Sequence, residues 1–301
     1  GLVDMLAGRP NTQNNPDLNG AWINNGADWI ASGGYWSPED CGGTEIYGCF
    51  VDFDSNDYGT RFVDVNGDGL TDLVNGKPRP TGTPRYPKIW INTGSGWILD
   101  EDWSTQYPDC TDLPSVHEGC LIDGGHYNGV ELADVNGDGL VDIIKAPQTY
   151  PSQTKTWINN GHGWTADVDW KLPSCEESPF DGCLSGQNWE DNGVRLVDVN
   201  GDGLLDILKG KGVVRAHINM GKGWDVDSTW NIPDCPGDGC FANSQGNDTG
   251  VRLVDLNGDG LVDYIRAYIS GGNGVQTIYM NDGYGWISDS TWTLPNCSGS
   301  S

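Results

Sequence analysis

The sequence predicts an all-β protein, a β-propeller-like array of four-stranded antiparallel blades with about five repeats, the first lacking its first strand. Three observations predict it. A nine-residue acidic motif recurs four times between alternating apolar stretches, aromatic residues recur at fixed places after each copy, and close cysteine pairs separate one unit from the next. The composition agrees: Gly 45 and Pro 16 are too turn-rich for a helical bundle, and 10% aromatics is too many for a disordered acidic tail. With 301 residues there is enough chain to bury a core, and its start at Gly1 reads as that of a mature or excised segment. No run approaches the ~18 apolar residues of a membrane span, and no basic-then-apolar leader opens the chain. The 16 Lys and Arg are outnumbered by 43 Asp and Glu, so a charge of −27 repels nucleic acid and anionic membranes.

The first two strands of each unit flank the nonamer Asp-x-Asn-Gly-Asp-Gly-Leu-x-Asp, which begins at Asp64, Asp134, Asp198 and Asp255, at intervals of 70, 64 and 57 residues. Before it stand segments such as Gly-Val-Arg-Leu-Val, and after it come Asp-Leu-Val, Asp-Ile-Ile, Asp-Ile-Leu and Asp-Tyr-Ile. That pattern reads as strand, tight loop, strand. A third element runs from Trp90 to Trp97, and its counterparts are Trp157 to Trp164, His217 to Trp224 and Tyr279 to Trp286. A fourth is expected to end at Trp103, Trp170, Trp230 or Trp292. The opening segment fits the same template without its head: Asp4 ends a nonamer, Trp22 to Trp29 is the third element, and Trp36 precedes Cys41. The single repeat domain 1–301 therefore divides into 1–49, 50–120, 121–183, 184–240 and 241–301.

This arrangement gives 15 aromatic slots, of which Trp fills 13 and His217 and Tyr279 fill the others. Side chains repeated in every unit are expected to pack between sheets, because a ligand contact has no reason to recur in all of them. Trp189 alone lies outside the scheme and is the candidate ligand contact.

Nine cysteines point to an oxidising compartment. The close pairs Cys41/Cys49, Cys110/Cys120, Cys175/Cys183 and Cys235/Cys240 each close a short polar loop as expected disulfides, and Cys297 is left for an intermolecular bond. No repeated Cys-x-x-Cys suggests zinc.

In the nonamer, oxygen-bearing side chains fall at positions 1, 3, 5 and 9, and the glycine at 6 permits a sharp turn. The candidate ligands are Asp64, Asn66, Asp68, Asp72 and the Leu70 carbonyl; Asp134, Asn136, Asp138, Leu140 and Asp142; Asp198, Asn200, Asp202, Leu204 and Asp206; and Asp255, Asn257, Asp259, Leu261 and Asp263. An all-oxygen, largely anionic set of this flexibility selects Ca²⁺ over octahedral Mg²⁺, about four ions in all. An EF-hand is excluded, because position 12 is Asn75, Lys145, Lys209 or Arg266 instead of Glu.

Strand, acidic loop, strand and an aromatic-Ile-Asn-x-Gly-x-Gly-Trp segment together resemble the FG-GAP or VCBS repeat. That repeat builds integrin alpha-subunit heads, some fungal and bacterial lectins, and the shells of large bacterial toxins. The resemblance covers essentially the whole chain. It implies propeller blades with calcium in the loop between the first two strands, held by Asp64, Asn66, Asp68, Asp72 and their counterparts. The cysteine pairs depart from the common pattern and count against a toxin shell made in a reducing cytosol.

Alternation of loops in an up-and-down sheet places the acidic loops and the Gly-x-Gly turns at one end, and the variable loops 77–88, 209–213 and 270–276 at the other. Two sequons, at Asn247 and Asn296, allow glycosylation. No nucleophile motif, zinc signature or phosphate loop is present, so no enzyme is expected. The sequence thus points to an extracellular or cell-surface structural or adhesive module. Its partners would be copies of itself or further repeats, giving head-to-tail filaments, or else glycans or extracellular proteins. A glycan-binding lectin and a shell segment of a larger secreted toxin are the alternatives.

Overall fold

The fold was described from a computed structural model, which defines residues 4–7, 20–32, 49–51, 54, 56–78, 87–110, 118–123, 126–170, 172–175, 181–235, 239–270 and 273–294. Cys41, Cys297, Asn296, Trp36 and His117 lie outside these residues.

Strands β1 (Met5–Ala7), β2 (Gly20–Asn24) and β3 (Trp29–Ala31) form a three-stranded antiparallel sheet in chain order. The Asp4 carboxylate accepts the Asn24 N–H at 2.9 Å. This is the bond that the ninth nonamer residue makes in the later sheets, so the three described strands correspond to the second, third and fourth strands of those sheets.

The next sheet is β4 (Thr60–Val63), β5 (Asp72–Asn75), β6 (Lys88–Asn92) and β7 (Trp97–Leu99), followed by the short helix α1 (Glu101–Gln106) and the hairpin β8 (Ile122–Asp123) and β9 (His126–Tyr127). Three four-stranded sheets complete the all-β fold, with very little helix. They are β10 (Val130–Ala133) to β13 (Trp164–Ala166) through β11 (Asp142–Lys145) and β12 (Lys155–Asn159); β14 (Val194–Val197) to β17 (Trp224–Val226) through β15 (Asp206–Lys211) and β16 (Val213–Asn219); and β18 (Val251–Val254) to β21 (Trp286–Ser288) through β19 (Asp263–Ser270) and β20 (Asn273–Asn281). Strand order within every sheet follows chain order, the meander of a propeller blade.

The stretch Trp90 to Trp97 contains the expected Gly-x-Gly turn between two strands. It comprises β6, a turn with Gly94 at φ +77°, and the first residue of β7. Two expectations need correction. The fourth strand is only three residues long and stops before the connector tryptophan. Trp103 lies in α1, whose start is capped by Asp100 accepting the Trp103 N–H at 3.0 Å, and Trp230 closes a single 3₁₀ turn, Ser228–Trp230. Segments 209–213 and 270–276 also differ from variable loops: β15 and β16 reverse at Gly212, and β19 and β20 extend to Ser270 and from Asn273. Variation there is in strand length.

Packing divides the chain into two compact units, Gly1–Leu132 with Gly139–Lys145 and Trp157–Ala166, and Ala133–Asp138 with Ala146–Thr156 and Asp167–Ser301. The first is centred on Val65, Val74, Ile89, Leu121, Ile143 and Trp157, the second on Val199, Leu208, Ala216, Phe241, Val251 and Tyr264. Within them the repeated tryptophans meet edge to face from one repeat to the next. Trp103 lies 5.2 Å from Trp164, Trp170 5.6 Å from Trp224 and Trp230 6.2 Å from Trp286. Three disulfides join Cys110 to Cys120, Cys175 to Cys183 and Cys235 to Cys240. Cys49 is also disulfide-bonded.

The acidic loops as a candidate cation site

Each acidic loop is folded by its own side chains. In the copy that begins at Asp64, the first carboxylate accepts the N–H groups of Gly67 and Gly69 at 2.8 and 2.7 Å. Asn66 Oδ1 accepts the Asp68 N–H at 3.0 Å, and Asp68 Oδ1 accepts the Leu70 N–H at 2.8 Å. Gly67 and Gly69 adopt φ of +75° and +85°, a left-handed path that other residues take only with strain. The copies at Asp198 and Asp255 repeat these bonds, with Asp198 and Asp255 accepting from Gly201 and Gly258 at 2.7 Å. In the second copy Asp134 accepts from Gly137 at 2.8 Å, and Asn136 accepts from Asp138 at 2.9 Å.

The ninth position does something the spacing alone does not reveal. Asp72 is fully buried; one oxygen accepts the Val65 N–H at 2.9 Å and the other accepts the Asn92 N–H at 2.7 Å, tying the loop to the third strand. Asp206 makes the same pair of bonds to Val199 and Asn219, and Asp263 to Leu256 and Asn281. Asp142 accepts the Asn159 N–H at 2.8 Å. Burial, with the charges of Asp68 and Asp64 added, pushes the Asp72 carboxyl up to about 6 despite its two N–H donors. Asp206 is raised to about 6 for the same reasons, with Asp202 and Asp198 as the neighbours.

This electrostatic strain is the test of fit for a cation. At the ninth position the neighbouring carboxylates add to burial in disfavouring the charge of Asp72 and Asp206. Both oxygens of Asp64 and of Asp72 accept backbone N–H groups, which fix the orientation of these carboxylates. Oxygen-only donors of this charge suit a hard divalent ion. Among the described residues no three His, Cys, Asp or Glu side chains form a metal cage by themselves. The Asn at position 3 and the Leu carbonyl at position 7 would have to complete the set. The residues that would hold a Ca²⁺ ion are Asp64, Asn66, Asp68, Asp72 and the Leu70 carbonyl, with their counterparts.

Two groups of residues in and around the loops went unread in the sequence. Asn92, Asn159, Asn219 and Asn281, at the ends of the third strands, are all buried. Asn159 donates to the Val65 carbonyl of the preceding acidic loop at 2.8 Å, Asn219 to Val135 at 2.8 Å and Asn281 to Val199 at 2.7 Å. Each therefore staples its sheet to the loop of the repeat before it. The signal was present as the recurring Ile-Asn of the third element. The second group is position 12, where Lys145 and Lys209 are buried instead of solvated. Lys209 Nζ donates to the Asn192 carbonyl at 2.6 Å.

Trp189 is half-buried, holds φ +64° and stands 6.2 Å from the Tyr150 ring. Asn247 is exposed, whereas the Thr249 hydroxyl of its sequon donates to the Cys240 carbonyl. Of the histidines, His162 sits in an exposed turn, and His217 is buried 3.5 Å from Asp181, its pKa pulled down by that burial. No described helix is long and apolar enough to cross a membrane.

Residues 64–145 match the family model of the FG-GAP-like repeat. No curated protein sequence matches the chain significantly. Among solved structures, the Tc holotoxin pore of Photorhabdus luminescens is similar over 91% of this chain and 11% of its own, with 16% identity and a TM-score of 0.50. The chain thus spans about a tenth of that protein's length, and at this identity the likeness concerns the fold. Residues 64–145 are thus similar to the FG-GAP-like repeat, and the loop bonds of that segment recur at Asp198 and Asp255.

Proposed function

We propose that the protein is a non-enzymatic, extracellular structural or adhesive module, a calcium-stabilised and disulfide-crosslinked repeat scaffold. The observation that carries this reading is the staple from Asn159, Asn219 and Asn281 to the preceding acidic loop. The residues that would hold Ca²⁺ thus share a peptide segment with the joint between repeats, so the ion would stiffen the array. Three disulfides in the connectors support an oxidising, extracellular setting. Head-to-tail association through Cys297 and adhesion to glycans or extracellular proteins belong to the same proposal.

Calcium supplies charge neutralisation at the loops, and metal bound only by the folded state adds to its stability. The melting temperature is expected to rise by several degrees on adding millimolar Ca²⁺ to chelator-treated protein, with affinity near the weak extracellular range of about 10⁻⁴ to 10⁻³ M. An identical melting curve with and without excess chelator would remove calcium from the proposal. A second reading, a shell segment of a larger secreted toxin, is favoured by the similarity to the Tc holotoxin pore over 91% of the chain. Intact mass under non-reducing conditions separates the two, because covalent multimers through Cys297 belong only to the scaffold.

A further inference from the structure

The connectors between repeats end in a Gly-Cys-apolar triplet: Gly48-Cys49-Phe50, Gly119-Cys120-Leu121, Gly182-Cys183-Leu184 and Gly239-Cys240-Phe241. Three of these triplets insert at the same place, the residue just after position 12 of the preceding nonamer. Leu121 N–H donates to the Gly76 carbonyl at 2.9 Å, Leu184 N–H to Ala146 at 2.8 Å, and Phe241 N–H to Gly210 at 3.3 Å. The receiving residue is small because the arriving side chain leaves no room. A Cβ on Gly76 would lie 2.6 Å from Leu121 Cγ, and one on Gly210 would lie 2.9 Å from Phe241 Cδ2. Leu121, Leu184 and Phe241 are buried by the fit.

The counterpart in the fifth repeat is Ala267. Its frame is built as in the others. Ala267 N–H donates to the Gly250 carbonyl at 3.0 Å, as Gly76 does to Gly59 at 2.8 Å and Gly210 to Gly193 at 2.7 Å. Among the described residues no Gly-Cys-apolar triplet meets it. A cavity of about 430 Å³ stands there instead, lined by Asp248, Gly250, Arg266, Ala267 and Tyr268, with Ile269 beside it 61% exposed.

We propose that this seat is a docking site for a further disulfide-looped Gly-Cys-apolar connector, presented by another repeat of the same kind. The argument is continuity with an interface that recurs three times within the chain. In the fourth repeat Arg195, bridged to Asp191 at 2.7 Å, places its guanidinium 5.0 Å from the ring of Phe241. Arg252 is bridged to Asp248 at 2.8 Å in the matching position, as Arg61 is to Asp57 at 2.7 Å in the repeat whose seat takes Leu121, so the frame suits a Leu or a Phe. The proposal rests on the scaffold reading and supplies its partner chemistry.

The test is a titration of isotope-labelled full-length protein with the oxidised peptide of residues 235–243, followed by NMR. Saturable shifts are expected at Asp248–Gly250 and Arg266–Tyr268, at least tenfold weaker for a peptide carrying Phe241→Asp. Ala267→Leu in the protein should abolish them, and Ala267→Gly should retain them. No shift at millimolar peptide would overturn the proposal, as would equal shifts with the Asp peptide or with an unrelated apolar peptide. Should Ala267→Leu fail to fold, the peptide variants decide alone. A negative titration together with a calcium-dependent melting temperature would reject the seat and leave the scaffold reading standing.

Discussion

At the scale of single residues, two buried polar side chains carry consequences that can be measured. Asn219 is 1% exposed and donates to the carbonyls of Val135 and Leu205 at 2.8 and 3.2 Å. Asn219→Ala would remove the donor to Val135, while Leu205 keeps the Trp224 indole N–H at 2.8 Å, a loss of about 1–3 kcal/mol for a buried group. Urea denaturation should show it, with the exposed Asn160→Ala within about 0.5 kcal/mol of the parent as the control. Lys209 is the other case. Burial, partly offset by Asp181, brings its pKa down from 10.5 to about 8. Below pH 8 the ammonium is charged in both states and its burial opposes folding. Between about pH 8 and 10.5 the unfolded chain holds the proton that the folded one has released, so stability rises with pH, by on the order of 3 kcal/mol. Lys209→Met should therefore be as stable as the parent or more so at pH 7, an advantage that disappears by about pH 10.5. A difference between the two proteins that does not change with pH would refute this assignment.

At the scale of elements, the acidic loops and their flanking strands were legible because both signals are local. Period-two apolar alternation marks β4 and β5, and the oxygen spacing marks the turn between them. The Asn staples were less legible because their acceptors, such as Val135 for Asn219, lie 84 residues away. Burial of Lys145 and Lys209 was illegible because a charge at a strand end ordinarily reads as solvated. The connectors fell between these extremes. Their cysteine pairs were plain, whereas α1 after β7 and only a 3₁₀ turn after β17 depend on how a few residues are capped. These connectors also predict an outcome. Cys235 and Cys240 are 5 residues apart, and Cys240 is fully buried against Gly210. Replacing both by Ser should cost about 2 kcal/mol from chain entropy alone. Hydrogen exchange should show faster opening at Gly210 and Phe241 before any other strand responds.

At the scale of the whole molecule, the charge of −27 is the dominant property. Twelve of the 43 acidic residues lie in the four nonamers, and four Ca²⁺ would bring −27 to about −19. In chelator, raising salt from about 10 mM to 150 mM should raise the melting temperature, because the screening length falls from about 30 to 8 Å. The same salt step in saturating calcium should have a smaller effect. Equal slopes in both conditions would mean that the loops do not set the repulsion. The glycines of those loops bear on a slower property, the molecule's chemical lifetime. Each nonamer contains Asn-Gly, the sequence in which a backbone nitrogen most readily attacks the preceding amide and converts Asn to aspartate or isoaspartate. Here the Gly67, Gly137, Gly201 and Gly258 nitrogens are engaged with the carboxylates of Asp64, Asp134, Asp198 and Asp255. The bond that shapes the turn thereby withholds the nucleophile, so a repeat whose loop loosens would begin to age at its own candidate cation ligand.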